Sequence, residues 1–112
     1  MSKAEFSGRT AIVGIATSDF KALYGTDPER TREDLATRAI GDALDDAGLK
    51  KEQVDGLITG GTVHYEPTAY RAGLTDVRFC VDYPSAGRMC PMALMHAAQA
   101  VENGLANYVV LF

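Results

Sequence analysis

The sequence predicts an α/β fold with a mainly parallel sheet. Short runs rich in branched apolar residues, typical of strands buried on both faces, occur at residues 10–16, 54–61 and 108–112. Residues 31–48 and 89–103 show helical signals between them. Strands that alternate with helices in this way predict parallel strands joined by right-handed crossovers. The predicted order is strand, helix, strand, loop, strand, buried helix, strand.

The first two predicted elements are a core strand at residues 10–16 and an amphipathic helix. Thr31 can cap a helix through its hydroxyl oxygen, and acidic residues follow in the first turn. Gly48 offers the left-handed conformation that commonly ends a helix. Apolar residues at helical spacing predict one face packed on a sheet, namely Leu35, Ala39, Ile40, Ala43 and Leu44.

The next two predicted strands flank a segment without a clear pattern. Residues 54–61 predict a short strand that runs into a turn at Gly60-Gly61. Residues 62–76 show no periodicity. Residues 78–83 predict a third strand, in which Cys80 alternates with apolar neighbours and is expected in the core.

The last two predicted elements are unusually apolar. The helix at residues 89–103 has only His96, Gln99 and Glu102 as polar residues before Asn103, so more than one of its sides must be covered. The run at residues 108–112 predicts a strand in the interior of a parallel sheet. We therefore expect residues 1–112 to be a single partial domain, the front part of a longer protein.

Size and composition narrow the functional class. A chain of 112 residues can bury one core, and its 46% hydrophobic and 23% charged residues are typical of a soluble globular protein. The amino terminus lacks the apolar segment of a secretory signal, which predicts a cytoplasmic protein with two free cysteines and no membrane association. A net charge of -4, without a basic and aromatic cluster, argues against nucleic-acid binding.

Cys90 is the candidate catalytic residue. Proline is tolerated in the first turn of a helix, so Pro91 places the helix start at or near Cys90. Free backbone N–H groups and the positive end of the helix dipole stabilise a thiolate there, which prepares it to attack a carbonyl or thioester. The alternative is a small buried apolar residue. Arg88 is a candidate contact for a phosphate or carboxylate at the same helix start.

The two histidines and the glycine-containing segments predict no second site. His96 lies on the apolar helix, where a lone histidine is more often a packing residue than a base or metal ligand. His64 could line a pocket, but an exposed loop residue is the simplest interpretation. The sequence contains no metal-ligand spacing, dinucleotide-binding glycine pattern or phosphate loop.

Several segments together resemble the opening of a thiolase. They are residues 10–15, residues 35–49 with their Asp-Asp-Ala-Gly-Leu end, residues 54–57, and residues 97–106 before the Val-Val-Leu strand. The resemblance spans nearly the whole chain and is strongest to the lipid-transfer-protein or sterol-carrier branch of the thiolase-like superfamily. It implies two similar halves, each a five-stranded sheet between helical layers, and this chain resembles the first part of the first half.

The resemblance also implies a chemistry. Thiolases make or break carbon–carbon bonds in acyl-CoA, and a cysteine at the start of the buried helix carries the acyl group. By this resemblance the substrate is a coenzyme A thioester, no cofactor is bound, and the enzyme is a homodimeric acyltransferase, with a small accessory subunit in some relatives. Cys90 is then the nucleophile, with Gly87 and Arg88 beside the substrate. The family's catalytic histidines lie beyond Phe112, so we expect this chain alone to be inactive.

One departure from the thiolase pattern leaves the nucleophile open. Thiolases carry Cys-x-Ser-Gly, whereas residues 87–94 read Gly-Arg-Met-Cys-Pro-Met-Ala-Leu. Counting back from Gly104 puts Gly87 at the nucleophile position, whereas matching the cysteine and Leu94 puts Cys90 there and shortens the helix. The first register implies a retro-aldolase that cleaves side chains from steroid-CoA thioesters without a cysteine. The second retains acyl transfer, and a non-catalytic subunit that binds lipid-CoA or a partner is a third alternative.

Overall fold

The computed structural model describes residues 8–18, 21, 31–61, 63–83 and 87–112. The described part of residues 31–112 forms three α-helices and three strands. The helices are α1 (Arg32–Ala47), α2 (Tyr65–Ala72) and α3 (Cys90–Glu102). Short 3-10 turns precede the first strand and α3, at Lys51–Gln53 and Gly87–Met89.

The three strands form one parallel sheet, as predicted. They are β1 (Gly56–Gly60), β2 (Phe79–Tyr83) and β3 (Val109–Leu111), in the spatial order β2-β1-β3. The central strand β1 pairs Leu57 with Cys80 on one side and with Val110 on the other. All three carboxyl ends therefore share one edge of the sheet, which is where ligands bind in open parallel sheets.

The core lies on both faces of β1. On one face, Leu57 packs with residues of α1 and with Val54 and Leu74, and α2 adds partly buried side chains. On the other face, Ile58 packs against Ala93 and Ala97 of α3. Leu57 and Ile58 are 0% exposed, and burying each such side chain stabilises the fold by about 1.5–3 kcal/mol.

Helix α1 begins and ends where the sequence predicts. The Thr31 hydroxyl accepts the Asp34 N–H at 3.2 Å, and the Asp34 carboxylate accepts the Thr31 N–H at 3.0 Å, which completes a capping box. Gly48 ends the helix with φ 70°. The buried face agrees with the predicted stripe in Ala39, Ile40 and Leu44 and adds Ala36.

The predicted core strand at residues 10–16 is wrong. The segment has no strand structure, and Ile12, Val13 and Ile15 are 68%, 57% and 74% exposed. Branched apolar residues favour a strand only where a neighbouring strand offers backbone partners, and none of the three described strands pairs with this segment. The crossover predicted from this segment through α1 is therefore also absent among the described residues.

The segment instead runs along α1. A Cβ atom placed on Gly14 would lie 2.7 Å from the Ala47 Cβ atom, so only glycine permits this close approach. The Ile15 N–H donates to the Asp46 carboxylate at 2.9 Å. The chain is thus held against the carboxyl half of α1.

Three further predictions, about α2, α3 and β3, differ from the structure. Helix α2 occupies the segment in which the sequence showed no pattern. Helix α3 is covered on its alanine face alone within the described residues, and it exposes Met92, Leu94 and Met95. Strand β3 lies at the edge of the three-stranded sheet rather than in its interior, so its side chains are half-buried or exposed. No helix in the described part of the chain has the length and apolarity needed to cross a bilayer.

Candidate active site at the carboxyl edge of the sheet

Cys90 is the first residue of α3, as the sequence predicts. Met89 is the residue before the helix, and Pro91 occupies the first turn. The Cys90 thiol is free and exposed within the described part of the chain, unlike the small buried residue of the alternative interpretation. Its catalytic role stays a prediction.

Gly87 and Arg88 lie on the 3-10 turn that leads directly into α3. Both residues are exposed. A Cβ atom on Gly87 would meet no atom within 4 Å, so the backbone there is open to an approaching ligand. The structure therefore brings the three predicted site residues together on one exposed segment, at the sheet edge where β2 ends.

Cys80 is not in the core, which corrects its predicted environment. It lies on β2, an edge strand of the described sheet, and is exposed. Partial burial, followed by the negative charges of Asp82 and Glu66, raises the pKa of the Cys80 thiol. A raised pKa reduces the thiolate fraction, so Cys80 is poorly suited to act as a nucleophile.

His96 is a packing residue, as predicted. The His96 and Phe79 rings pack in a T-shaped arrangement with their centroids 5.3 Å apart. The His96 Nδ1 atom lies 2.8 Å from the Tyr83 hydroxyl oxygen. These contacts hold α3 against β2 and so position the start of the helix.

The structure also joins His64 to Asp82, a pair that sequence reasoning missed. His64 precedes α2, and its Nδ1 atom lies 3.2 Å from Asp82 Oδ2. The other Asp82 oxygen accepts the Thr59 hydroxyl and, at 2.9 Å, the Tyr65 backbone N–H. The carboxylate thus holds together β1, β2 and the first turn of α2.

The environment of Asp82 favours its ionised form. Partial burial opposes ionisation through desolvation, but the hydrogen bonds from Thr59, His64 and the Tyr65 N–H, together with the charge of His64, outweigh it. The pKa of Asp82 is therefore below its ordinary value. An ionised carboxylate at this position is a stable acceptor for the His64 ring.

Two buried threonines support this pair. Thr59 and Thr68 are the fully buried polar residues of the described part of the chain. Thr59 donates to the Asp82 carboxylate, and Thr68 donates its hydroxyl hydrogen to the His64 carbonyl oxygen at 2.7 Å. Two features of the sequence could have indicated the His64–Asp82 pair. One is a charged residue within the otherwise apolar β2, and the other is a threonine four positions after His64.

Over residues 8–18, 31–61, 63–83 and 87–112, no group of three or more His, Cys, Asp or Glu side chains is arranged to hold a metal ion.

Comparisons with known proteins place this geometry in context. No protein-family model matches the chain. It is 38% identical over 108 residues to a 17-hydroxy-3-oxo-4-pregnene-20-carboxyl-CoA lyase of Mycobacterium tuberculosis, covering 95% of this chain and 27% of the lyase. It is 32% identical over 107 residues to a steroid side-chain-cleaving aldolase of Thermomonospora curvata, covering 94% of this chain and 26% of that protein. The chain thus spans about a quarter of each relative's length.

Solved structures show the same similarity. An Ltp2-ChsH2(DUF35) aldolase matches with a TM-score of 0.75 and 29% identity, covering 90% of this chain and 26% of that chain. A 3-oxoacyl-[acyl-carrier-protein] synthase III from Aquifex aeolicus shares the fold, with a TM-score of 0.63 and 24% identity over 74% of this chain and 29% of that chain. The parallel sheet, its helices and these matches show that the chain has a thiolase-like fold.

Proposed function

We propose that this chain is part of a thiolase-like enzyme that cleaves a carbon–carbon bond in the CoA thioester of a steroid side chain by a retro-aldol reaction. The observation that carries the proposal is the 38% identity with the Mycobacterium tuberculosis lyase. The similarity to the Ltp2-ChsH2(DUF35) aldolase supports it. Because the chain spans about a quarter of these proteins, the activity is proposed for the full-length protein that contains it.

The proposed reaction fits the edge of the sheet where β2 ends and α3 begins. A retro-aldol cleavage removes the hydroxyl proton of a β-hydroxyacyl thioester, breaks the adjacent carbon–carbon bond and leaves a thioester enolate. Backbone N–H groups at the start of α3, to which Pro91 contributes none, could stabilise negative charge on the thioester oxygen. We assign Gly87 and Arg88 to contacts with the thioester and the CoA phosphates, with no further bound cofactor.

Acyl transfer through Cys90 is the second candidate. The observation that favours it is a free, exposed thiol on the first residue of α3. In that case Cys90 would attack the thioester carbonyl and hold the acyl group, with CoA as the leaving group. The aldolase needs no such step, so the two candidates differ in their dependence on one sulfur atom.

The experiment combines turnover with mass analysis. Full-length protein, with any accessory subunit, is incubated with a β-hydroxyacyl-CoA of a steroid side chain, and products are identified by mass spectrometry. For the aldolase we expect a ketone and a shortened acyl-CoA, with turnover retained in Cys90→Ala. Cys80→Ala is the matched control, since both thiols are exposed. An acyl adduct on Cys90, together with loss of turnover in Cys90→Ala, would favour acyl transfer.

A partner subunit belongs to the proposal. The two-part name of the Ltp2-ChsH2(DUF35) aldolase supports a second protein component, and we propose that this enzyme forms a homodimer that binds an accessory subunit. Loss of all turnover with retained CoA-thioester or partner binding would instead support a non-catalytic subunit. Size-exclusion chromatography with light scattering measures the assembly directly.

A further inference from the structure

We infer that Tyr83 is a positioning residue, whose hydrogen bond to His96 fixes the start of α3 relative to the end of β2. This inference rests on the proposed aldolase function, because the start of α3 carries the backbone N–H groups assigned to the thioester oxygen. Tyr83 is the last residue of β2, and His96 lies in the second turn of α3. The bond thus joins the strand before the candidate site to the helix after it.

The face that α3 turns toward the sheet does not by itself define the position of the helix. The buried residues of α3 are Ala93, Ala97 and Ala100. Methyl groups are small, and the apolar contact between these alanines and Ile58 of β1 is non-directional. A hydrogen bond, in contrast, requires a defined distance and angle. A side-chain hydrogen bond from the sheet to the helix therefore restricts movements of α3 that alanine packing permits.

The bond belongs to a small aromatic cluster. The Tyr83 hydroxyl oxygen lies 2.8 Å from the His96 Nδ1 atom, in a partly buried position. The two rings meet in a T-shaped arrangement with their centroids 6.2 Å apart, and Phe79 packs in the same way on the His96 ring. Both aromatic residues of β2 lie on the face that packs against α3. Their contacts hold the His96 ring in an orientation that keeps Nδ1 beside the Tyr83 hydroxyl.

The strand end that carries Tyr83 is itself held in place. Tyr83 pairs with Gly60 of β1, and the adjacent Asp82 carboxylate accepts the Thr59 hydroxyl and the Tyr65 N–H. Side chains alternate along a strand, so Asp82 is anchored on one face of the sheet while Tyr83 reaches α3 on the other. The Tyr83 hydroxyl therefore extends from a fixed point of the sheet to the helix.

Placement of the helix start matters for the proposed cleavage. Negative charge develops on the thioester oxygen as the carbon–carbon bond breaks, and N–H donors stabilise this charge best when they are already in place. A misplacement of about 1 Å in an active site can lower the rate about 10²-fold. Loss of the Tyr83–His96 bond should therefore lower kcat more than it raises KM.

The test begins with Tyr83→Phe in the full-length enzyme, which removes the hydroxyl group and keeps the ring. With the β-hydroxyacyl-CoA of a steroid side chain as substrate, we expect kcat to fall about 10- to 100-fold and KM to change less than about threefold. Tyr70→Phe is the matched control, since Tyr70 is 88% exposed on α2, and it should retain wild-type turnover.

Two substitutions of His96 separate positioning from stability, and they carry the test if Tyr83→Phe does not fold. His96→Asn keeps an amide that can donate or accept near the place of Nδ1, whereas His96→Leu keeps apolar bulk beside Phe79 without a hydrogen bond. We expect kcat of His96→Asn to stay within about threefold of wild type, and kcat of His96→Leu to fall as in Tyr83→Phe. Urea unfolding should rank the two variants in the opposite order, because leucine retains apolar contact and is the better helix former.

Wild-type kcat in Tyr83→Phe, or kcat values that follow the stability order of the two His96 variants, would overturn the inference. Absence of turnover in the wild-type enzyme would instead overturn the proposed function. Amide hydrogen exchange would then still test the positioning. In Tyr83→Phe the N–H groups in the second turn of α3 should exchange at least about threefold faster, while that of Leu57 in β1 stays unchanged. Equal exchange rates in the wild type and Tyr83→Phe would overturn the inference.

Discussion

The Asp55 carboxylate accepts the backbone N–H of Asn107 with both of its oxygens, at 2.8 and 2.9 Å. One of these oxygens also accepts the Tyr108 N–H at 2.9 Å. Asp55 immediately precedes β1, and Tyr108 immediately precedes β3. A single carboxylate therefore anchors the beginning of the pairing between two strands that are more than fifty residues apart.

Replacing Asp55 should weaken this anchor. In Asp55→Ala two backbone N–H groups lose charged acceptors, so we expect the free energy of unfolding to fall by about 2 kcal/mol. Urea unfolding followed by circular dichroism measures the change. Asp76→Ala removes an exposed pair with Arg78 and should cost less than about 0.5 kcal/mol, so equal losses in both variants would contradict the assigned role of Asp55.

Gly56 and Gly60, at the two ends of β1, should respond differently to a methyl group. A Cβ atom on Gly56 would lie 2.8 Å from Val109 Cγ2, whereas on Gly60 its nearest neighbour is 3.8 Å away. We expect Gly56→Ala to destabilise the protein by about 1–3 kcal/mol through overpacking between β1 and β3, and Gly60→Ala to be nearly neutral. Thermal unfolding of the two variants side by side tests this, and a larger loss for Gly60→Ala would contradict the described strand pairing.

Asp82 should make the protein sensitive to acid. Its folded-state pKa is below the unfolded value of about 3.9, so its stabilising contribution is present above that value and is lost as the pH falls through the folded pKa. Wild-type protein should therefore lose more stability than Asp82→Asn between about pH 6 and about pH 3. Urea midpoints measured across this range test the sign, and a constant difference between the two proteins would show that Asp82 does not contribute.

Cys80 should react slowly with alkylating reagents. Because burial and the charges of Asp82 and Glu66 raise its pKa, only a small thiolate fraction is present at about pH 7.5. Glu66→Gln removes one of the negative charges, so we expect faster labelling of Cys80 by iodoacetamide. Peptide mass spectrometry follows the rate, with the Cys90 peptide from the same digest as reference. Slower labelling in Glu66→Gln would contradict the electrostatic explanation.

The boundaries of α1 and the start of α3 could be predicted because their signals are local. The Thr31 hydroxyl and the Asp34 carboxylate that complete the capping box are three positions apart, and Gly48 and Pro91 act through their own backbone angles. The parallel sheet also followed from local patterns, since apolar runs alternate with helical segments. Cys90, Gly87 and Arg88 could be placed at one helix start for the same reason.

Sequence pattern alone predicts the wrong structure where a segment needs a distant partner. The run at residues 10–16 has the composition of a strand, yet it lies along α1 because Gly14 permits close contact and Asp46 accepts a backbone N–H. Cys80 alternates like a core residue but lies on an edge strand, where one side of the pairing is missing among the described residues. Periodicity reports which side chains share a face, but it does not report whether anything covers that face.

Short-range chemistry along the chain is thus enough to locate α1 and the start of α3 with Cys90 on it, because caps and proline act within one helical turn. The His64–Asp82 pair depends instead on the folded arrangement. Its members are 18 positions apart, and they meet because β1 and β2 pair in a register that sets Thr59 beside Asp82. That register arises from burying Leu57 and Ile58 on opposite faces of β1, a cooperative property of the packed sheet that no single segment contains.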